Sequence, residues 1–168
     1  TKSSRAFKHL LLLDWNVGGH NLAYLRASVE VMEKLADRVS VFCRYTPEEF
    51  KTRIPGQVCF RSVSLDRSVR LARFRRDPLQ SAAKRNGAKV RFLAESDAGP
   101  ISGVFFPTMH EWDAPYWKGF LRGLNRQWTG VAMTWTSLRG ISEDDPMTEA
   151  LRDRKCRGIA VLDRSEER

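Results

Sequence analysis

Short apolar runs alternate with segments of helical periodicity along most of the chain. Continuous apolar runs of four to eight residues are typical of strands that are buried on both faces of a parallel sheet. Strands are predicted at 10–14, 39–43, 58–63, 103–106, 130–134 and 158–162, where apolar residues predominate. Between several of them, apolar residues recur every three or four positions, as on one face of an amphipathic helix. This alternation predicts an α/β fold with a doubly wound, mostly parallel, Rossmann-like sheet.

Capping residues and prolines indicate where the helices begin. Asn21 is predicted to cap a first helix, whose apolar positions continue to Ala36. The sequence Thr46-Pro-Glu-Glu49 has the form of a capping box with Pro at the first helical position, which predicts a short helix. Two further helices are predicted over about 115–125 and 145–155, the second beginning at an Asp-Pro pair.

Two regions carry less regular signals. Asp77-Pro78 is typical of a helix start, and Asn86-Gly87 is typical of a helix end. The apolar residues 90–94 could then form either a strand or another helix. Pro107 is predicted to end the strand that begins at Gly103 and to open a polar exit loop.

Composition bounds the class of protein. A chain of 168 residues with 42% apolar residues suits a single domain with a real core. Its net charge of +9 favours anionic partners such as nucleotides, phosphates, nucleic acid or acidic lipid. A soluble domain from an arginine-rich proteome would carry a similar surplus.

The basic residues are concentrated in one segment. Residues 61–91 contain ten Lys or Arg and two acids. The arginines at its centre are Arg67, Arg70, Arg73, Arg75 and Arg76. On a helix they would spread around most of the surface, and a solvated face is the commonest meaning of such a run. Contact with acidic lipid is an alternative, whereas no recognised DNA- or RNA-binding signature accompanies the segment.

The three cysteines form neither a disulfide framework nor a CxxC pair. Cys43 and Cys59 lie in apolar runs and are predicted to be buried thiols, and Cys156 stands alone. No apolar stretch approaches the roughly 20 residues that span a bilayer. These observations predict a cytoplasmic protein, with peripheral membrane association as an alternative.

The loop after the first strand is the strongest candidate site. Gly18-Gly19 would let backbone N–H groups approach a ligand, and the helix that follows presents its positive end to phosphate or carboxylate. The loop has neither the GxGxxG pattern nor the Lys and Ser/Thr of a P-loop, which disfavours an NTPase or a standard dinucleotide site. The same glycines could instead form only a tight turn.

Asp14, His20 and Asn21 flank these glycines. Asp14 could orient His20 or accept a hydrogen bond from a sugar hydroxyl, or it could cap the turn through backbone N–H groups. His20 could act as a general base or donate to an anionic oxygen, or it could cap the helix or be solvated. Asn21 is predicted to be a ligand contact together with the two glycines.

A second polar cluster follows a later strand at the same predicted edge of the sheet. It comprises His110, Glu111, Trp112 and Asp113. Carboxylates and an imidazole beside an aromatic ring suit a polyhydroxylated ligand, although Trp112 could equally pack inward from a polar loop. Arg139, in the exit loop of the next strand, could pair with phosphate or carboxylate or be an exposed loop residue. No HExxH motif is present, so zinc is disfavoured, and no metal or cofactor is expected.

Three features together resemble the N-terminal, acceptor-side domain of a GT-B type glycosyltransferase. The first is the apolar strand followed by Val17-Gly-Gly-His20 and a long helix, and the second is Gly103-Val-Phe-Phe-Pro-Thr108. The third is Gly158-Ile-Ala-Val-Leu-Asp163, which is similar to the late strand before the crossover between domains. The resemblance covers nearly the whole chain and implies a single Rossmann-like domain over 1–168. The family's C-terminal domain, which binds the nucleotide-sugar, is expected to lie outside this sequence.

The resemblance implies transfer of a sugar from a nucleotide-sugar donor to a sugar or lipid-linked acceptor by displacement at the anomeric carbon, without a required metal. It implies that Gly18 and Gly19 contact acceptor or donor phosphate, and that His20 stands where some inverting members keep their base. Without its second domain, the chain is expected to be incomplete as a catalyst. The alternative is a non-catalytic Rossmann- or flavodoxin-like module with a basic face for nucleic acid or a protein partner.

Overall fold

A computed structural model describes residues 5–16, 18–50, 54–62, 76–110, 114–134 and 152–161. The strands are β1 (Phe7–Asp14), β2 (Ala36–Cys43), β3 (Val58–Ser62), β4 (Gly103–His110), β5 (Trp128–Thr134) and β6 (Cys156–Val161). The helices of the described residues are α1 (Asn21–Leu35), α2 (Pro47–Phe50), α3 (Arg76–Ala98) and α4 (Ala114–Leu124).

The six strands form one sheet in the order β3-β2-β1-β4-β5-β6, and each pair of neighbours is parallel. Leu10 of β1 is in register with Val39 of β2 on one side and with Gly103 of β4 on the other. This is the strand order of a Rossmann-like sheet, in which the order reverses between β1 and β4. The predicted α/β fold is therefore confirmed.

The central strand β1 contributes to a core on each face of the sheet. Leu10 and Leu12 pack on the side of α1, in a cluster that includes Leu25 of that helix. Leu11 and Leu13 pack on the opposite side, in a cluster with residues of α3 and α4. Burial on both faces explains the unbroken leucine run in the sequence.

The predicted helix end at Asn86-Gly87 is wrong, because α3 continues for 23 residues, from Arg76 to Ala98. Gly87 instead allows α3 to approach α4: a Cβ atom built on it would overlap the carbonyl oxygen of Phe120. Residues 90–94 accordingly lie within the helix. The helix ends before Gly99, which has the left-handed φ of +82° that glycine adopts readily.

Pro107 does not end its strand, because β4 continues to His110. The β1 ladder pairs with residues 103–105 of β4, which precede the proline. On the other side, the register with β5 shifts between Phe106 and Met109, so that the proline lies at an irregularity of the ladder. A missing N–H is tolerated at such a bulge.

The predicted helix caps and ends agree with the structure in part. The capping box is confirmed: the Thr46 N–H donates to Glu49 Oε2 at 2.7 Å, and the Glu49 N–H donates to Thr46 Oγ1 at 3.2 Å. Asn21 is the first residue of α1 and not its cap, and Ala36 already belongs to β2. Residues 152–155 form turns, so the last predicted helix does not extend to Lys155. Its proposed start lies outside the described residues.

Candidate functional site

The candidate site lies where β1 and β4 end side by side. The chain leaves β1 toward α1 on one face of the sheet, whereas α3 and α4 cover the other face. Connections that leave to opposite faces open a crevice at the carboxyl ends of the strands. Asp14 ends β1 and His110 ends β4, and the loop with Gly18 leads from β1 into α1. The fold thus brings together, at one edge of the sheet, the predicted site residues that lie within the described ranges.

The Asp14 carboxylate is a buried junction between the two strands. Its side chain is 1% exposed, and Oδ1 accepts hydrogen bonds from the Thr108 hydroxyl at 2.8 Å and from the Asn16 N–H at 3.0 Å. The Asn16 side-chain amide in turn donates to Thr108 Oγ1 at 3.2 Å and to the Thr108 carbonyl at 3.3 Å. The hydrogen bond from the Asn16 N–H to Asp14 Oδ1 closes an Asx turn. Asp14 therefore caps the turn, which is one of the roles considered for it.

The two glycines form a left-handed turn at the mouth of this crevice. Gly18 has a φ of +88° and Gly19 a φ of +55°, values that other residues rarely adopt. The Gly18 N–H donates to the Tyr45 hydroxyl at 3.0 Å, and the Gly18 carbonyl accepts from the Asn21 N–H at 3.3 Å. A Cβ atom built on either glycine would meet no atom of the described residues within 4 Å. Hydrogen bonds to Tyr45 and Asn21 therefore fix the turn, and the space beside both glycine Cα atoms is open.

Tyr45 holds the glycine turn from the end of the neighbouring strand β2. Burial raises the pKa of Tyr45, and the nearby Asp14 charge raises it further. The phenol therefore keeps its proton while it accepts the Gly18 N–H, and that proton can serve an oxygen of a ligand. Sequence analysis missed Tyr45. The available signal was its position two residues after Cys43, where β2 ends at the same edge of the sheet.

His20 lies on the outer side of the turn and is exposed. It occupies the N-cap position of α1, where its carbonyl accepts the Tyr24 N–H at 3.1 Å, and its side chain makes no capping hydrogen bond. Of the roles considered for His20, helix capping by the imidazole is thus not observed. Its imidazole faces solvent beside the positive end of the helix.

His110 was predicted in a polar exit loop, and this placement is wrong because it is the last residue of β4. The side chain is 8% exposed. Burial lowers the pKa of His110, so the imidazole is neutral at neutral pH. A neutral imidazole at the ligand edge of a sheet can donate or accept a hydrogen bond and can accept a proton.

The remaining predicted contacts lie outside the described residues: Glu111, Trp112, Asp113 and Arg139. The same is true of most of the basic segment, residues 63–75. Within the described ranges, no group of three or more His, Cys, Asp or Glu side chains could hold a metal ion. Nor is any helix of those ranges long and apolar enough to cross a membrane.

The thiols fit their predicted environments in part. Cys43 is buried, and burial raises its pKa to about 12. Cys59 is only half-buried, with its Sγ 3.5 Å from the Asp97 carboxylate. Burial raises the pKa of Cys59 as well, with a further increase from the hydrogen bond to Asp97. Neither thiol has the lowered pKa that marks a nucleophilic cysteine.

Comparison with known proteins adds no assignment. No protein-family model matches this chain, and no curated protein sequence matches it significantly. A functional proposal for this chain therefore rests on the residues at the β1–β4 edge alone.

Proposed function

We propose that this domain is the acceptor-side half of a GT-B type glycosyltransferase and that it binds a polyhydroxylated, partly anionic ligand at the β1–β4 edge. One observation carries the proposal. The Gly18-Gly19 turn is open to solvent at the start of α1 and is fixed from behind by the Tyr45 hydroxyl. A preorganised turn at the positive end of a helix suits phosphate oxygens, and the switch point of a parallel sheet is where such ligands bind.

The surrounding side chains suit hydroxyl groups. Tyr45 and neutral His110 supply donors and acceptors that can bond to sugar hydroxyls. His20, exposed beside the turn, is the proposed base: it takes the proton of the acceptor hydroxyl while that oxygen attacks the anomeric carbon. The bond from that carbon to the diphosphate breaks, and the diphosphate leaves with both bonding electrons. In this family, a second domain holds the nucleotide part of the donor.

Asp14 has a positioning role in this proposal. Its carboxylate is buried and accepts hydrogen bonds from Thr108 and Asn16, so it fixes the loop before the glycines. A loop held in this way keeps the ligand close to the geometry that the reaction needs.

Calorimetric titration of the chain with nucleotide-sugars, with the free sugars and with duplex DNA tests the proposal. We expect weak binding of at least one nucleotide-sugar or sugar, and we expect Gly18→Val to abolish it, because valine avoids a φ of +88°. Gly56→Val is the control, because a Cβ at Gly56 meets open space without a left-handed backbone. Absence of any sugar or nucleotide-sugar binding would refute the proposal. Binding of DNA alone, weakening steeply with salt, would favour the basic binding module instead.

A further inference from the structure

A second concavity lies on the other face of the sheet, beneath α3. It has a volume of about 470 Å³. Its floor is apolar: Trp15, Val90 and Leu93 keep some exposed surface above the buried side chains of Leu13, Phe42 and Phe120. Cationic side chains of Arg61 and Lys89 lie on its wall. Pockets that hold small molecules are commonly about 300–1,000 Å³ and mostly apolar with a few polar groups.

We propose that this cavity binds an amphipathic anion, with a flat apolar body on the floor and a phosphate, sulfonate or carboxylate group at Lys89. The proposal does not rest on the glycosyltransferase assignment. The cavity lies on the side of the sheet that α3 and α4 cover. The glycine turn leads into α1, which packs on the opposite side.

Packing among neighbouring rings fixes the base of the cavity. Phe42 and Phe120 are almost completely buried, and Trp15 is 6% exposed. The Trp15 ring is wedged among other rings, with its centroid 4.2 Å from that of Trp117 and 5.2 Å from that of Phe120. Rings held by such packing give the cavity a rigid base, and the partly exposed side chains of Trp15, Val90 and Leu93 supply the apolar surface that a ligand can contact.

The charge on the wall is divided unequally between its two cations. The Arg61 guanidinium forms two hydrogen bonds with the Asp97 carboxylate, at 2.6 and 2.7 Å. Those bonds hold the pKa of Asp97 below its usual value, so this carboxylate stays ionised and offsets the Arg61 charge. Lys89 is exposed and forms no salt bridge with the described residues. Lys89 is thus the cation that is available to an anionic ligand.

The nearest acids on the same helix leave this charge in place. Glu95 forms its own ion pair with Arg126, at 2.7 Å. Asp97 is held by Arg61. The wall of the cavity therefore keeps a net positive charge above an apolar floor, and a molecule that combines an apolar body with an anion is complementary to both.

Calorimetric titration with 1-naphthyl phosphate, 1-naphthol and inorganic phosphate tests the proposal. We expect 1-naphthyl phosphate to bind most tightly, because it alone contacts both the floor and Lys89. Lys89→Gln should weaken 1-naphthyl phosphate about five- to tenfold and leave 1-naphthol unchanged, since only the charged interaction is lost. Lys84 is another exposed lysine of α3, but it does not line the cavity. Lys84→Gln is therefore the matched control and should change neither affinity.

A filling variant tests the apolar part. Leu93→Trp replaces a leucine side chain of the cavity lining with a larger indole ring and should abolish binding of both naphthyl compounds. Thermal unfolding of each variant verifies that it is folded. If Leu93→Trp does not fold, Lys89→Gln, at an exposed position, still decides the test. The proposal is overturned if inorganic phosphate binds as tightly as 1-naphthyl phosphate, or if Lys89→Gln and Lys84→Gln behave alike. Gly18→Val should leave 1-naphthyl phosphate binding intact, which separates this cavity from the glycine turn.

Discussion

The Thr108 hydroxyl donates a hydrogen bond of 2.8 Å to the Asp14 carboxylate across the β1–β4 boundary. The two residues are 94 positions apart in the chain, and each is 1% exposed. Their bond is formed where the strand order reverses, so it fixes the start of the glycine loop to the neighbouring strand. The stability of the fold and the geometry of the candidate site therefore share one interaction.

Thr108→Val should destabilise the protein by about 1–3 kcal/mol, because it leaves a buried carboxylate oxygen with one donor fewer. Thr129→Val is the matched control. The Thr129 hydroxyl donates to the Gly158 carbonyl at 2.7 Å, but in a water-accessible position, where solvent can replace the lost bond. Urea unfolding of the two variants measures the difference. Equal losses would show that burial of the Asp14 pair adds nothing.

Tyr45→Phe should loosen the glycine turn while it leaves the fold intact. The variant removes the acceptor of the Gly18 N–H, which lies 3.0 Å from the phenol oxygen. We expect faster hydrogen exchange at Gly18 and a loss of stability of about 1 kcal/mol. Tyr24→Phe, on the exposed side of α1, is the control and should leave the Gly18 exchange rate unchanged. An unaltered rate in Tyr45→Phe would contradict the role that we assign to Tyr45.

Gly87→Ala should destabilise the α3–α4 pair by about 3 kcal/mol, at the upper end of the cost of overpacking. The added methyl group would overlap the Phe120 carbonyl oxygen, and backbone cannot move aside as a flexible side chain can. Gly56→Ala has open space around the new methyl group and should be close to neutral. Thermal unfolding compares the two, and a neutral Gly87→Ala would mean that the helices are not packed so closely.

Stability should decrease as the pH falls below about 6.5, in part because of His110. Burial lowers the pKa of this imidazole in the folded protein below its ordinary value of 6.5. Between the lowered and the ordinary pKa, the unfolded chain binds more protons than the folded one, so the free energy of unfolding rises with pH in that window.

His110→Gln should flatten this pH dependence, measured as urea unfolding at a series of pH values from 5 to 8. His20→Gln, which removes an exposed histidine, should retain the contribution of His110. A slope that is identical in the wild type and in His110→Gln would exclude the buried imidazole as its source.

Cys43 should be the slowest of the three cysteines to react with iodoacetamide in the folded protein. Burial raises its pKa from 9.0 to about 12, which lowers the thiolate fraction at a given pH by about 1,000-fold. Cys59 and Cys156 are half-buried and should react sooner. Mass spectrometry of timed digests gives the order, and in urea the three should react at similar rates. Early labelling of Cys43 without urea would contradict its burial.

The sheet could be predicted from the sequence because each strand carries its own signal. The run from Leu10 to Leu13 is apolar at successive positions, since both faces of β1 are covered. The Thr46–Glu49 capping box was also readable, because all its atoms lie within four consecutive residues. Local chemistry determines both features, so no knowledge of the tertiary structure was needed.

The errors arose where a distant element decides a local question. Gly87 has the residue type of a helix end, but it faces Phe120 of α4. The left-handed residue that follows α3 is instead Gly99. Pro107 continues its strand because the ladder shifts register beside it. Tyr45 reaches the glycine turn from two residues beyond the end of β2, over a separation of 27 residues. None of these partners is visible in the neighbouring sequence.

The most direct test of the proposed ligand site is a two-dimensional ¹H–¹⁵N spectrum of the labelled chain, recorded during titration with nucleotide-sugars and free sugars. We expect the amide signals of Gly18, Gly19, His20 and Asn21 to shift progressively and saturate, while those of exposed α3 residues such as Lys84 stay in place. If the signals of the glycine turn do not move with any sugar or nucleotide-sugar, the turn is not the ligand site.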